Sequence, residues 1–129
     1  MRVALNGWFA GQSVGSRLTK SGILIGTPEY MAPELITGGA VDHRSDLYAV
    51  GVMLYEMLSG TKPFIGETAV NILFQHLEAD VPPLRELAPH VPEELEKIVM
   101  GAMARERDDR PASALELRES LVGVLHRAA

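Results

Sequence analysis

The stretch Leu47-Tyr-Ala-Val-Gly-Val-Met-Leu-Tyr-Glu-Met-Leu58 constrains this chain more than any other. It is apolar almost all round, and a helix without a polar face must be buried on every side. It is also far too short to span a bilayer, which needs roughly 20 apolar residues. The rest of the chain must therefore supply elements that wrap it, and this helix should be the central pillar of one small domain. With 129 residues, 47% of them apolar, the chain is large enough for such a core.

The flanking sequence reads as helices. Pro33-Glu34-Leu35-Ile36 opens with the proline and carboxylate that suit a first turn, and Gly38-Gly39 closes it after barely one turn. Ser45 or Asp46 is placed to cap the central helix. A third helix is expected over Thr68 to Ala79, with Val70, Leu73, Phe74 and Leu77 as its inward stripe. Pro82-Pro83 and Pro89 predict a non-helical connection. Glu93 to Arg105 carries a one-sided stripe of Leu95, Ile98, Val99, Ala102 and Met103. Ser113-Ala114-Leu115-Glu116 is a capping box opening a last helix whose Leu117, Leu121, Val124 and Leu125 face inward. Residues 1–25, rich in Gly, Ser and Thr, read as an irregular arm. The fold class is all-α, with four or five helices.

Charge and composition exclude several roles. Twelve basic against seventeen acidic residues give a net charge of −5, and no basic stripe exists to follow a nucleic-acid backbone. The absence of cysteine rules out disulfides and thiolate metal sites and fits a reducing, cytoplasmic setting. His43, His76, His90 and His126 show no metal-site spacing and read as surface or half-buried residues. Met53, Met57, Met100 and Met103 read as gap-fillers between helices. Gly11-Gln12-Ser13-Val14-Gly15 matches the nucleophile elbow of α/β-hydrolases, but no strand precedes it and no helix follows it.

Three ordered motifs carry most of the functional information: Gly26-Thr27-Pro28-Glu29-Tyr30-Met31-Ala32-Pro33-Glu34, then Ser45-Asp46-Leu47-Tyr48-Ala49-Val50-Gly51, then Asp109-Arg110-Pro111. With them the chain resembles the carboxy-terminal lobe of eukaryotic-like (bacterial Hanks-type) serine/threonine protein kinases, from about Ser16 to His126. The resemblance implies a partial large lobe over 26–129, with the activation segment beginning near residue 13 and the small lobe and catalytic loop absent. It implies that Glu34 pairs with Arg110 as a carboxylate–guanidinium fork, and that Asp46 accepts hydrogen bonds from the catalytic-loop backbone. It marks Thr27 as substrate-positioning, and Thr19 and Ser21 as candidate phosphorylation sites. Ile23, Leu24 and Ile25 would border the substrate groove. Taken singly, Glu34 and Asp46 are equally first-turn carboxylates favoured by a helix dipole, and Arg110 a solvated charge.

The chemistry of phosphoryl transfer is not carried by this sequence. That reaction uses a glycine-rich cover, a lysine with its glutamate, an aspartate that accepts the hydroxyl proton, and an Asp and Asn that hold magnesium. No Gly-x-Gly-x-x-Gly occurs, and the first aspartate is Asp42, already past Ala32-Pro33-Glu34. The resemblance thus implies a truncated or degenerate kinase, inactive alone. Its parent would use ATP and Mg²⁺ to phosphorylate protein serine or threonine; this chain is expected to bind neither. The alternative is a non-catalytic interaction module that presents the Thr68–Ala79 helix to a substrate or partner kinase, with Phe74 or Leu77 as exposed anchors. Val50, Met53 and Leu54 are expected to face solvent, favouring self-association.

Overall fold

A computed structural model describes residues 27–128. The readings made for Gly11–Gly15, Thr19, Ser21 and Ile23–Ile25 lie outside the described residues. Six α-helices follow one another: α1 (Pro33–Thr37), α2 (His43–Ser59), α3 (Ala69–Glu78), α4 (Leu84–Leu87), α5 (Glu93–Ala102) and α6 (Ala114–Ala128). Two single 3₁₀ turns, Pro28–Tyr30 and Arg107–Asp109, complete the described elements, and no strand occurs among them.

The helix ends follow from local chemistry. Pro33 opens α1, and Gly38 closes it at φ 79°, a left-handed conformation that suits glycine. Helix α2 begins earlier than Leu47. Its N-cap is Asp42, whose carboxylate accepts from the Arg44 backbone N–H at 2.9 Å, so Ser45 and Asp46 are first-turn residues and neither is the cap. Gly60, at φ 81°, ends it. Thr68 caps α3 by accepting from the Asn71 N–H at 3.1 Å, and Ser113 caps α6 by accepting from Glu116 N–H at 3.0 Å. The segment after Pro82-Pro83 is not purely irregular. Pro83 stands at the N-cap of α4, the place where a missing N–H costs nothing.

α2 packs along α5 and forms the axis of the core. Tyr48, Ala49, Val52 and Tyr55 of α2 meet Leu73 of α3, Leu84 of α4 and Val99 of α5 in one buried cluster. Gly51 lets the two helices approach: a Cβ there would stand 2.8 Å from Met103 Cγ and 3.1 Å from the Met103 backbone nitrogen. A second, smaller cluster joins Leu47 to Ala102 and to Leu117 of α6.

Three expected faces are corrected. α2 is not buried all round: Met53 is 38% and Met57 75% exposed, whereas Val50 and Leu54 are half-buried. α3 turns Ile72, Leu73 and His76 inward and leaves Val70 and Phe74 in solvent, because the polar His76 finds a partner inside. Leu125 of α6 is exposed, although Leu117 and Val124 are buried and Leu121 is half-buried. His76, read as a surface or half-buried residue, is one of the most enclosed side chains.

Candidate functional site

The most elaborate polar arrangement lies where α1, the start of α2 and the Arg107–Asp109 turn converge. Glu34 sits in the first turn of α1, held there by Pro33 and by burial of Leu35 beside it. Arg110 follows the 3₁₀ turn, 76 positions away in sequence. Its Nη1 donates to Glu34 Oε2 at 2.7 Å and its Nη2 to Oε1 at 2.9 Å, a bidentate fork with 5% and 8% of the two residues exposed.

Neither charge is left short of partners. Arg110 Nε donates to the Ala104 carbonyl at 2.7 Å, and its remaining two donors reach the carbonyls of Arg44 at 3.1 Å and Arg105 at 3.0 Å. All five guanidinium N–H groups are thereby used. The guanidinium carbon also lies 5.0 Å from the Tyr48 ring centroid. Ser45 Oγ donates to Glu34 Oε2 at 2.5 Å. Burial alone would raise the Glu34 pKa, but the bonds from Arg110 and Ser45 outweigh it and hold the carboxyl below the usual range. A buried pair satisfied in this way joins α1, α2 and the last loop into one rigid unit.

A second charge cluster surrounds the start of α2. Asp42 accepts from Arg44 at 2.8 Å and from Arg107 at 3.3 Å, and Arg44 also reaches Asp108 at 2.9 Å. The hydrogen bonds from Arg44 lower the Asp42 pKa to about 2. His43 Nε2 meets the Ala112 carbonyl at 2.5 Å, tying α2 to the entry of α6.

Asp46 is 5% exposed in the first turn of α2 and borders a cavity of about 370 Å³ lined by His43, Leu47, Val50, Leu117, Arg118 and Leu121. Thr27, half-buried, stands at the N-cap of the Pro28–Tyr30 turn, where its carbonyl accepts from the Tyr30 N–H at 3.2 Å. Tyr30 in turn donates to Glu56 Oε1 at 2.5 Å, and this bond pushes its pKa up to about 12. The structure thus brings Glu34 and Arg110 together, sets Asp46 in the first turn of α2, and gives Thr27 no contact with either.

Sequence reasoning missed the Ser45 hydroxyl on Glu34, the Asp42–Arg44–Arg107–Asp108 cluster and the Tyr48–His76 pair. An aspartate immediately before a helical run was the available signal for the second. The other two depend on contacts 11 and 28 positions apart that no local pattern shows.

None of the described His, Cys, Asp and Glu side chains gather in threes around a point that could hold a metal ion. The cavity beside Asp46 is walled mainly by aliphatic side chains, with Arg118 at its edge.

Comparison with known proteins places this geometry. Residues 12–121 match the protein kinase domain. The chain is 45% identical over 100 residues, 78% of its length, to the DNA damage-responsive serine/threonine-protein kinase RqkA of Deinococcus radiodurans. It is 41% identical over 112 residues, 85% of its length, to the serine/threonine-protein kinase pkn3 of Myxococcus xanthus. It is 42% identical over 111 residues, again 85%, to the serine/threonine-protein kinase PknB of Mycolicibacterium smegmatis. The chain spans 15%, 20% and 18% of the lengths of these three relatives.

Proposed function

This chain belongs to the protein kinase family, and from that premise we propose that it is the helical scaffold of a serine/threonine kinase large lobe, holding the end of the activation segment in place. The lobe occupies residues 26–129. The reaction it serves is transfer of the ATP γ-phosphate to serine or threonine hydroxyls of a protein. The single observation that carries the reading is the Glu34–Arg110 fork, which fastens Ala32-Pro33-Glu34 to Asp109-Arg110-Pro111.

Within that scheme Thr27 positions substrate, Thr19 and Ser21 are the phosphorylation sites, and Asp46 holds backbone of a catalytic loop. The setting is the cytoplasm; no described helix is long and apolar enough to cross a membrane. The chain by itself performs no transfer, since the charged groups that the reaction requires are not in its sequence.

Two assays test this. The purified chain, free of other kinases and given γ-labelled ATP with Mg²⁺, should incorporate no phosphate; incorporation abolished by Thr19→Ala or Ser21→Ala would contradict the inactive state. In the second, residues 27–121 replace the matching stretch of RqkA. The chimera should phosphorylate protein, and Thr27→Ala should lower its kcat/KM by one to two orders of magnitude, roughly the loss expected for a positioning group. A folded but inactive chimera would contradict the kinase-lobe assignment.

A second reading is favoured by one surface. Val70 and Phe74 of α3 are 59% and 57% exposed. Two large apolar side chains left in solvent on one helix suit a docking anchor for a substrate or partner kinase. Purified PknB of Mycolicibacterium smegmatis mixed with the chain should form a complex that Phe74→Glu abolishes; no complex would remove this reading.

A further inference from the structure

The cavity beside Asp46 is the closed end of a longer groove. Along it, His43 is tied to the entry of α6, Leu47 packs with Leu117, and Val50 and Leu121 line the far end. These pairings rise together in residue number, so α2 and α6 run in the same direction with the groove between them. Helical spacing carries both walls onward, to Met53, Leu54 and Met57 on α2 and to Val124 and Leu125 on α6. Met53, Met57 and Leu125 are 38%, 75% and 67% exposed, so among the described residues nothing covers this open end.

The first described residues lie beside it. Thr27 leads into the Pro28–Tyr30 turn, whose Tyr30 hydroxyl donates to Glu56 at 2.5 Å, and Glu56 flanks Met53 and Met57 on α2. The sequence before Thr27 differs in charge from the rest. Residues 1–26 carry Arg2, Arg17 and Lys20 and no acidic residue, whereas residues 27–129 hold nine basic and seventeen acidic side chains, a net charge of −8. Of the groove's charged neighbours, Asp46 and Glu56 are carboxylates and Arg118, at the cavity edge, is a cation. Residues 1–11 precede the stretch matched to the kinase domain and include Val3, Leu5, Trp8 and Phe9, four apolar side chains with the one tryptophan of the chain among them.

We propose that residues 3–9, led by Trp8 and Phe9, dock back into the α2–α6 groove and cover Val50, Met53 and Leu121. Reach does not limit this. The eighteen residues from Phe9 to Thr27 span up to about 60 Å when extended, and the groove from His43 to Met57 is about 20 Å long. Tethered within that reach, the segment meets the groove at an effective concentration on the order of millimolar, well above that of a second copy in dilute solution. The opposite charges of arm and body favour the same occupant. The docking does not depend on the kinase assignment.

Two measurements on the full chain test it. The sequence has no cysteine, so an introduced pair reports proximity without competing thiols. Under mild oxidation, Ala10→Cys with Met53→Cys should close a disulfide within one monomer about tenfold faster than Ala10→Cys with Val70→Cys, whose second position is exposed on α3 outside the groove. In the unchanged chain, Trp8 emission should lie to the blue of a solvated tryptophan and resist acrylamide quenching. Met53→Glu should remove both effects, and Val70→Glu should leave them intact. Should Met53→Glu fail to fold, quenching in the unchanged chain and the two cross-linking rates decide. Trp8 quenched as fast as free tryptophan in the folded chain, or equal rates for the two pairs, overturns the docking. A cross-link found only between two chains places a second copy in the groove and overturns it as well. Phosphate transfer enters none of these readouts, so a failed docking and a failed kinase assignment give different results.

Discussion

The two ends of α2 are built on opposite principles. At its start, Ser45 and the Arg44 carbonyl join Glu34 and Arg110 in a network where each charge is buried and every guanidinium donor is used. Farther along the same helix, Met53 and Met57 stand in solvent and Val50 borders an aliphatic cavity shared with Leu117 and Leu121. Polar contacts of this kind work at one geometry only, so the first end specifies which elements meet. An apolar face tolerates many partners, so the Met53–Met57 face specifies little and can be covered by whatever packs there, even though Tyr55 and Glu56 on the other side of the same turns hold fixed partners. The polar corner therefore selects which elements meet, while the buried side of the hydrophobic run, Tyr48, Ala49, Val52 and Tyr55, supplies the core they close over.

Removing one partner at the polar corner is the strongest way to break this contrast. Arg110→Ala leaves Glu34 as a buried, uncompensated carboxylate and should cost about 3–5 kcal/mol, enough to abolish a cooperative urea transition. Arg110→Lys should recover only part of that, since one ammonium cannot serve five acceptors in a plane. Acid probes the same pair. The Glu34 pKa is lowered in the folded chain, so its contribution is present above the ordinary carboxylate range and is lost as pH falls through it. Thermal melts should show Arg110→Lys losing less stability between pH 6 and 3 than the unchanged chain.

Gly51→Ala tests the apolar axis. Its methyl would collide with the Met103 backbone as well as its side chain, and should cost about 1–3 kcal/mol by chemical denaturation. Asp42→Ala removes the α2 cap and its contacts with Arg44 and Arg107, about 1 kcal/mol in the same assay. The smallest stability change is expected on the open face. Met57→Glu should shift stability by less than about 0.5 kcal/mol yet lower self-association in sedimentation velocity; a loss above about 2 kcal/mol would mean that this face is already part of the core.

Much of this architecture was legible beforehand. The cap at Ser113 and the stop at Gly38 are local chemistry, and they lie where the sequence placed them, whereas Thr68, read as the first residue of its helix, is its cap. Helix α4 was missed because Pro82-Pro83 and Pro89 read as breakers, although Pro83 only needed to stand at the cap. The inner face of α3 was misjudged because periodicity ranks Phe74 above His76. It cannot know that Tyr48 waits 28 positions upstream with a hydroxyl for the imidazole. Glu34 and Arg110 illustrate the same limit: each alone is an ordinary surface charge, and their pairing came only from resemblance to a family.

The most direct test of the central claim, a kinase-lobe scaffold that holds its segment without the chemistry of transfer, is calorimetric titration of ATP with Mg²⁺ into the folded chain. No saturable heat is expected even at millimolar nucleotide. Saturable, Mg²⁺-dependent binding with a Kd near or below about 100 μM, a range that built nucleotide sites reach, would contradict the account.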